Sequence, residues 1–226
     1  MPPTPADIGY LVRVPAGGVV LEGDLAVPPG ARGIVLFAHG SGSSRFSPRN
    51  RYVAGALRER GLGTLLMDLL TASEEEVDER TAHLRFDVEM LGQRLADAAA
   101  WLATGTATRG MPIGYFGAST GAAAALLAAA RSPEGIGAIV SRGGRPDLAG
   151  PALAQVRAPT LLIVGGADTV VIGMNREAYG QLQCPKDIAI VPGASHLFEE
   201  PGTLEEVARL AGEWFARWLA APEVKT

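Results

Sequence analysis

The chain opens on two runs of alternating apolar and polar residues, 10–14 and 19–27, separated by Pro15-Ala16-Gly17-Gly18. A period of two turns one face of an extended strand to the core and the other to water. A Pro/Gly cluster between two such runs makes a turn, so the segment reads as an antiparallel hairpin. Beyond it the texture changes. Short, continuously apolar runs at 33–38, 63–68, 113–117, 136–141, 159–165 and 187–191 alternate with stretches of helical periodicity at 51–60, 84–103, 120–131, 146–156, 173–182 and 204–220. Strands without a polar face are buried on both sides, as parallel strands are when crossover helices join them. The pattern predicts an α/β fold: a mostly parallel central sheet, an N-terminal antiparallel hairpin and helices on both faces.

No linker, repeat or low-complexity block interrupts the alternation, so residues 1–226 read as a single domain. A hydrophobic content of 47% with 19% charged residues fits a globular chain with a large core. The acidic run Glu74-Glu75-Glu76-Val77-Asp78-Glu79 is too short to be a tail and reads as a solvated loop or a first helical turn. A net charge of −4 argues against nucleic acid or an anionic membrane as partner and favours a small molecule. Met1 to Asp7 hold no basic cluster followed by an apolar run, and the one cysteine, Cys184, has no partner for a disulfide or a metal site. A cytoplasmic protein with no metal and no cofactor is the expectation. Oligomeric state is not legible.

Candidate chemistry sits where strands end. Gly117-Ala118-Ser119-Thr120-Gly121 joins an apolar strand to an alanine-rich helix. A serine on such a turn has strained backbone and an exposed hydroxyl, and the helix N-terminus turns free N–H groups toward a developing oxyanion. The alternative is an ordinary serine N-cap. A serine nucleophile needs a base. Of the three histidines, His196 follows the run Ile188-Ala189-Ile190-Val191 through a short loop, so it projects from the same sheet edge as Ser119. His83 lies among charged residues and reads as surface; His39 opens a loop whose shape it reads as holding. Asp168, just past Leu161-Leu162-Ile163-Val164-Gly165-Gly166-Ala167, supplies the orienting carboxylate, with helix capping as its alternative role. Asp68 also ends a strand and is the second choice of acid.

The loop His39-Gly40-Ser41-Gly42-Ser43-Ser44-Arg45 follows the first buried strand, and its Ser41 N–H together with the Thr120 N–H is expected to form an oxyanion hole. Arg45, Arg142 and Arg145 fall in loops on this side; Arg45 and Arg142 are candidate contacts to a substrate carboxylate, against the alternative that they pair with local carboxylates.

The order Ser119, Asp168, His196, each after a strand, together with His39-Gly40-Ser41-Gly42 and Gly193-Ala194-Ser195-His196, resembles the α/β-hydrolase superfamily and, within it, the dienelactone hydrolase-like group, over residues 10–220. The resemblance implies an esterase or lactonase working through an acyl-enzyme on a small-molecule ester. A true dienelactone hydrolase has a cysteine nucleophile where this chain has Ser119, which argues against dienelactone itself. Many relatives insert a helical cap after the sixth strand; residues 141–147 leave no room for one, so the site should be open. Acyl transfer or thioester cleavage on the same triad, and a catalytically silent binding protein, are the alternatives. A histidine base works only when neutral, so activity should fall as pH drops through the imidazole range, about 6 to 7.

Overall fold

The computed structural model describes residues 9–219. Met1 to Asp7 and Ala220, on which the expectations about a leader and the last helix end fall, lie outside the described residues. Eight strands form one sheet: β1 (Tyr10–Ala16), β2 (Val19–Ala26), β3 (Ile34–Ala38), β4 (Gly63–Met67), β5 (Ile113–Ala118), β6 (Ala138–Arg142), β7 (Thr160–Gly165) and β8 (Lys186–Val191), in the spatial order β1-β2-β4-β3-β5-β6-β7-β8. β1 and β2 are antiparallel, β2 runs antiparallel to β4, and β3 to β8 are parallel. The hairpin turn is tighter than the sequence suggested. Ala16 pairs with Val19, leaving Gly17 (φ 59°) and Gly18 (φ 77°) as a two-residue turn, and positive φ at both positions is what glycine tolerates.

The helices are α1 (Pro48–Glu59), α2 (Ala72–Thr81), α3 (Val88–Thr104), α4 (Thr120–Arg131), α5 (Thr169–Gln181) and α6 (Thr203–Trp218). They cover both faces. On one side α3, α4 and α5 bury Leu91, Leu95, Leu126 and Ala178 against Leu36, Tyr115 and Leu162; on the other α1 and α6 bury Val53, Leu57, Val207 and Phe215 against Phe37, Phe116 and Ile163. None of these helices is long and apolar enough to cross a membrane.

Several expected boundaries move, each for a local reason. The long helix expected over 84–103 is broken at Asp87, whose carboxylate caps the Met90 N–H at 3.0 Å, so a 3-10 turn (Leu84–Phe86) precedes α3. The helix expected over 146–156 is instead a run of 3-10 turns (Pro146–Gln155) kinked at Gly150 with Pro151 behind it. Of the two readings of the acidic run, the helical one holds and the loop does not, and the run is not wholly solvated. It forms α2, started by a capping box between Thr71 and Glu74, and its Asp78 is buried against the Leu84 and Arg85 N–H groups and the Arg85 guanidinium, while Glu74 pairs with the buried Arg94. Arg142, expected in a loop, is the last residue of β6.

In-register pairing aligns the C-terminal strand ends: Ala38 faces Gly117, Ala118 faces Arg142, and Gly165 faces Val191. Strand order reverses between β4-β3 and β5, and such a switch point opens a crevice at this edge of the sheet. Ser119, Asp168 and His196 all follow strands that end there.

Candidate active site

Ser119 occupies the turn between β5 and α4 with φ 51° and ψ −122°, one of three non-glycine residues with positive φ among those described. Such a conformation costs about 1–3 kcal/mol and persists only where its surroundings impose it. Here they do. The Ser119 N–H donates to the Arg142 carbonyl at 3.3 Å, and its own carbonyl accepts from Ala122 and Arg145 at 3.1 and 3.0 Å. The serine side chain makes no capping bond to the helix, so the N-cap alternative does not describe it. The two motif glycines allow the strand and helix to close: a Cβ on Gly117 would lie 2.4 Å from the Ala122 Cα, and one on Gly121 would lie 2.3 Å from the Ala38 carbonyl oxygen. Both neighbours are backbone, so Gly121→Ala is expected to cost about 3 kcal/mol or more, read as a lowered urea midpoint; a loss under about 1 kcal/mol would show that the turn yields.

Asp168 follows β7 and stands at the N-terminus of α5, but its carboxylate caps nothing there. Oδ2 instead accepts from His196 Nδ1 at 2.7 Å. That bond directs the proton to Nδ1 and leaves Nε2 with a free lone pair, the form a general base needs. The carboxylate is largely buried and the imidazole 40% exposed, so the ring is held from behind and open in front. The histidine loop is fixed in turn by Glu200, whose carboxylate takes the Ser195 N–H at 3.0 Å; that bond holds the Glu200 carboxyl below the usual range. Asp68, the second-choice acid, is committed elsewhere: it accepts from the Arg45 N–H at 2.7 Å and pairs with the Arg45 guanidinium.

His39 is buried, with Nδ1 donating to the Gly40 carbonyl at 3.0 Å and Nε2 accepting from the Leu69 N–H at 3.1 Å. One donor and one acceptor bond require a neutral ring, and burial lowers its pKa. It ties the loop after β3 to the end of β4. His83 is on the surface beside Thr81. The sign of the pH effect follows. In the unfolded chain His39 takes up a proton near pH 6.5 while the folded ring resists it, so stability is present above about pH 6.5 and lost below it, at up to about 1.4 kcal/mol per pH unit. Urea midpoints from pH 7.5 to 5 should fall more steeply for the native protein than for His39→Gln; parallel slopes would contradict this.

The oxyanion loop differs from expectation in one contact. The Ser41 N–H is not free: it donates to Thr120 Oγ1 at 2.9 Å. Thr120 N–H, at the first position of α4, has no intrahelical acceptor. A carbonyl oxygen seeking both donors must therefore displace the Thr120 hydroxyl by rotation about χ1.

A cavity of about 220 Å³ is lined by Ser119, His196, Leu197, Arg142, Gly40, Ser41 and the first turn of α1. The arginines separate clearly. Arg45 is bound by Glu22 at 2.7 Å and by Asp68, and Arg145 by Asp147 at 2.8 Å. Arg45 does not line this cavity, and local carboxylates hold its guanidinium, which is the alternative the sequence offered. Arg142 lines the cavity and has no carboxylate partner among the described residues. Arg49 and Asn50, which the sequence reading missed, line it too. The signal that could have found them is Ser47-Pro48, an N-cap and a proline at the first helical position, which starts α1 earlier than hydrophobic periodicity does and aims its first turn at the loop edge.

The dienelactone hydrolase family model matches residues 21–220. The crystal structure of dienelactone hydrolase from Anabaena variabilis is 61% identical, superposes with a TM-score of 0.91, and covers 93% of this chain and 97% of its own. Two Mycobacterium tuberculosis proteins bearing the name "putative phosphoribosyl transferase" are each 56% identical over 211 residues, 93% of this chain but 47% of theirs, so the chain spans about half the length of these relatives. Est1E from Butyrivibrio proteoclasticus, 16% identical with a TM-score of 0.75 over 92% of this chain and 98% of its own, shares the fold.

Proposed function

Because the chain belongs to the dienelactone hydrolase family, we propose that it is a serine hydrolase cleaving a carboxylic ester, with Ser119 as nucleophile, His196 as base and Asp168 as the group that orients the histidine. One observation carries the reading: the 2.7 Å bond from His196 Nδ1 to Asp168, on a ring that shares a cavity with a serine in a strained strand-to-helix turn. Ser119 Oγ attacks the ester carbonyl while His196 Nε2 takes its proton, and the Thr120 and Ser41 N–H groups receive the oxyanion once the threonine hydroxyl has turned aside. The imidazolium then protonates the departing alkoxide. Water, deprotonated by the same histidine, resolves the acyl-enzyme, and no metal or cofactor enters the cycle.

The volume of about 220 Å³ is below the range of roughly 300–1,000 Å³ common for drug-sized ligands, which favours a small ester. The phosphoribosyl transfer in the relatives' name is not carried to this chain, because about half of those proteins lies outside the match. The test is turnover of p-nitrophenyl acetate against p-nitrophenyl decanoate, with products analysed with and without added methanol. The short ester should be hydrolysed faster, giving mostly acid; methyl ester as the main product would make the protein an acyltransferase, and no turnover would favour a binding protein.

A further inference from the structure

The cavity beside Ser119 is lined by a positive charge that no carboxylate among the described residues pairs with. Arg142 ends β6 on the face whose preceding side chains, Ala138 and Val140, are core, and it is only 7% exposed. Its Nε is buried with no hydrogen-bond partner among the described residues, and its guanidinium lies over the Phe198 ring, 5.8 Å from the centroid. The other well-buried arginines are paired: Arg45 with Glu22 and Asp68, and Arg94 with Glu74 at 2.6 Å. A buried charge without a counter-charge is costly and survives where something else supplies one. Burial and the nearby Arg49 charge lower the Arg142 pKa to about 10, which still leaves it a cation at neutral pH.

A second buried donor with no partner among the described residues, Arg49 Nε, belongs to a residue lining the same cavity. Arg49 has one carboxylate, Glu199 at 3.2 Å, which is 63% exposed and solvated. Asp168 is turned to the far side of His196 and engaged there. Ser43 and Ser47 complete this wall. Two arginines from different elements and two serines line a space that the nucleophile also lines.

We propose that this wall is a phosphate subsite, so that the ester cleaved at Ser119 carries a phosphomonoester on the same molecule. The proposal rests on the serine hydrolase reading. A planar carboxylate presents two oxygens and one charge, enough for one guanidinium fork. A phosphate presents three oxygens and about −1.5 to −2 charge, which matches two guanidiniums and the hydroxyls beside them. In the reaction the acyl C–O bond breaks, water supplies hydroxyl to the acid and a proton to the alcohol, and the phosphate ester leaves intact.

Three acetate esters of similar reach test the class: 2-acetoxyethyl phosphate, 3-acetoxypropanoate and 2-methoxyethyl acetate. In the native protein kcat/KM for the phosphate should exceed that for the neutral ester about tenfold or more, with the carboxylate between them. Arg142→Met should bring that ratio to within about twofold. A binding readout independent of turnover is thermal melting with inorganic phosphate at constant ionic strength: Tm should rise by about 2–4 °C in the native protein and in Ser119→Ala, and not in Arg142→Met. Should Arg142→Met fail to fold, Arg49→Gln, expected to halve the phosphate effect on Tm or more, serves in its place. A Tm rise in Ser119→Ala with no ester turned over by the native protein would overturn the hydrolase reading and leave the subsite standing. Turnover without a phosphate preference, a carboxylate preferred over phosphate, or equal Tm shifts in native and Arg142→Met proteins would overturn the subsite.

Discussion

Replacing Ser119 with alanine is expected to lower kcat for p-nitrophenyl acetate by about 10⁶-fold, the scale on which removal of a triad nucleophile acts. Alanine offers no atom to bond the carbonyl, so only the background reaction within the oxyanion pocket is left. The turn itself should hold, because its backbone bonds to Arg142, Ala122 and Arg145 use the residue's N–H and carbonyl rather than its hydroxyl. Tm should therefore stay within about 3 °C of the native value, corresponding to about 1 kcal/mol in a chain of this length. Stopped-flow or steady-state assay and a melting curve on one preparation decide it; a loss under tenfold would remove Ser119 from the chemistry.

Asp168→Asn is expected to lower kcat about 10⁴-fold with the fold intact. An asparagine amide turned to the ring can donate to Nδ1, which moves the proton to Nε2, the nitrogen that has to accept from Ser119. No counter-charge then stands behind the imidazolium. Asp68→Asn is the informative contrast. Asp68 holds Arg45 and the loop after β3, so its loss should lower stability and leave a much smaller mark on kcat. Equal losses of kcat in the two variants would return Asp68 to the position of rival acid.

The layout of the fold was legible because parallel strands buried on both faces write themselves as continuous apolar runs, and each run from Ile34 to Val191 became a strand within a residue or two. Helix starts were less legible, since they are set by capping side chains rather than by periodicity. Ser47 starts α1 three residues before the expected start, and Asp87 splits the segment from Leu84 to Thr104. The acidic stretch misled because charge density suggests water, while the partners of Glu74 and Asp78, Arg94 and Arg85, lie 20 and 7 residues away along the chain. Ser119, Asp168 and His196 could be placed at one sheet edge because each follows a strand. Side-chain pairings across that edge could not be read: Ser41 N–H on Thr120 Oγ1 joins residues 79 apart, and nothing in the sequence shows that Arg45 meets carboxylates while Arg142 meets none among the described residues. Partners distant in sequence leave no periodic trace.

The central claim, that Ser119 is an activated nucleophile, is tested most directly by reacting the protein with a fluorophosphonate probe and mapping the adduct by mass spectrometry. The expected result is a single adduct on the peptide containing Ser119, formed in step with loss of esterase activity and absent when His196 is changed to alanine. An unlabelled Ser119 in active protein, or a stoichiometric adduct on another residue, would contradict it.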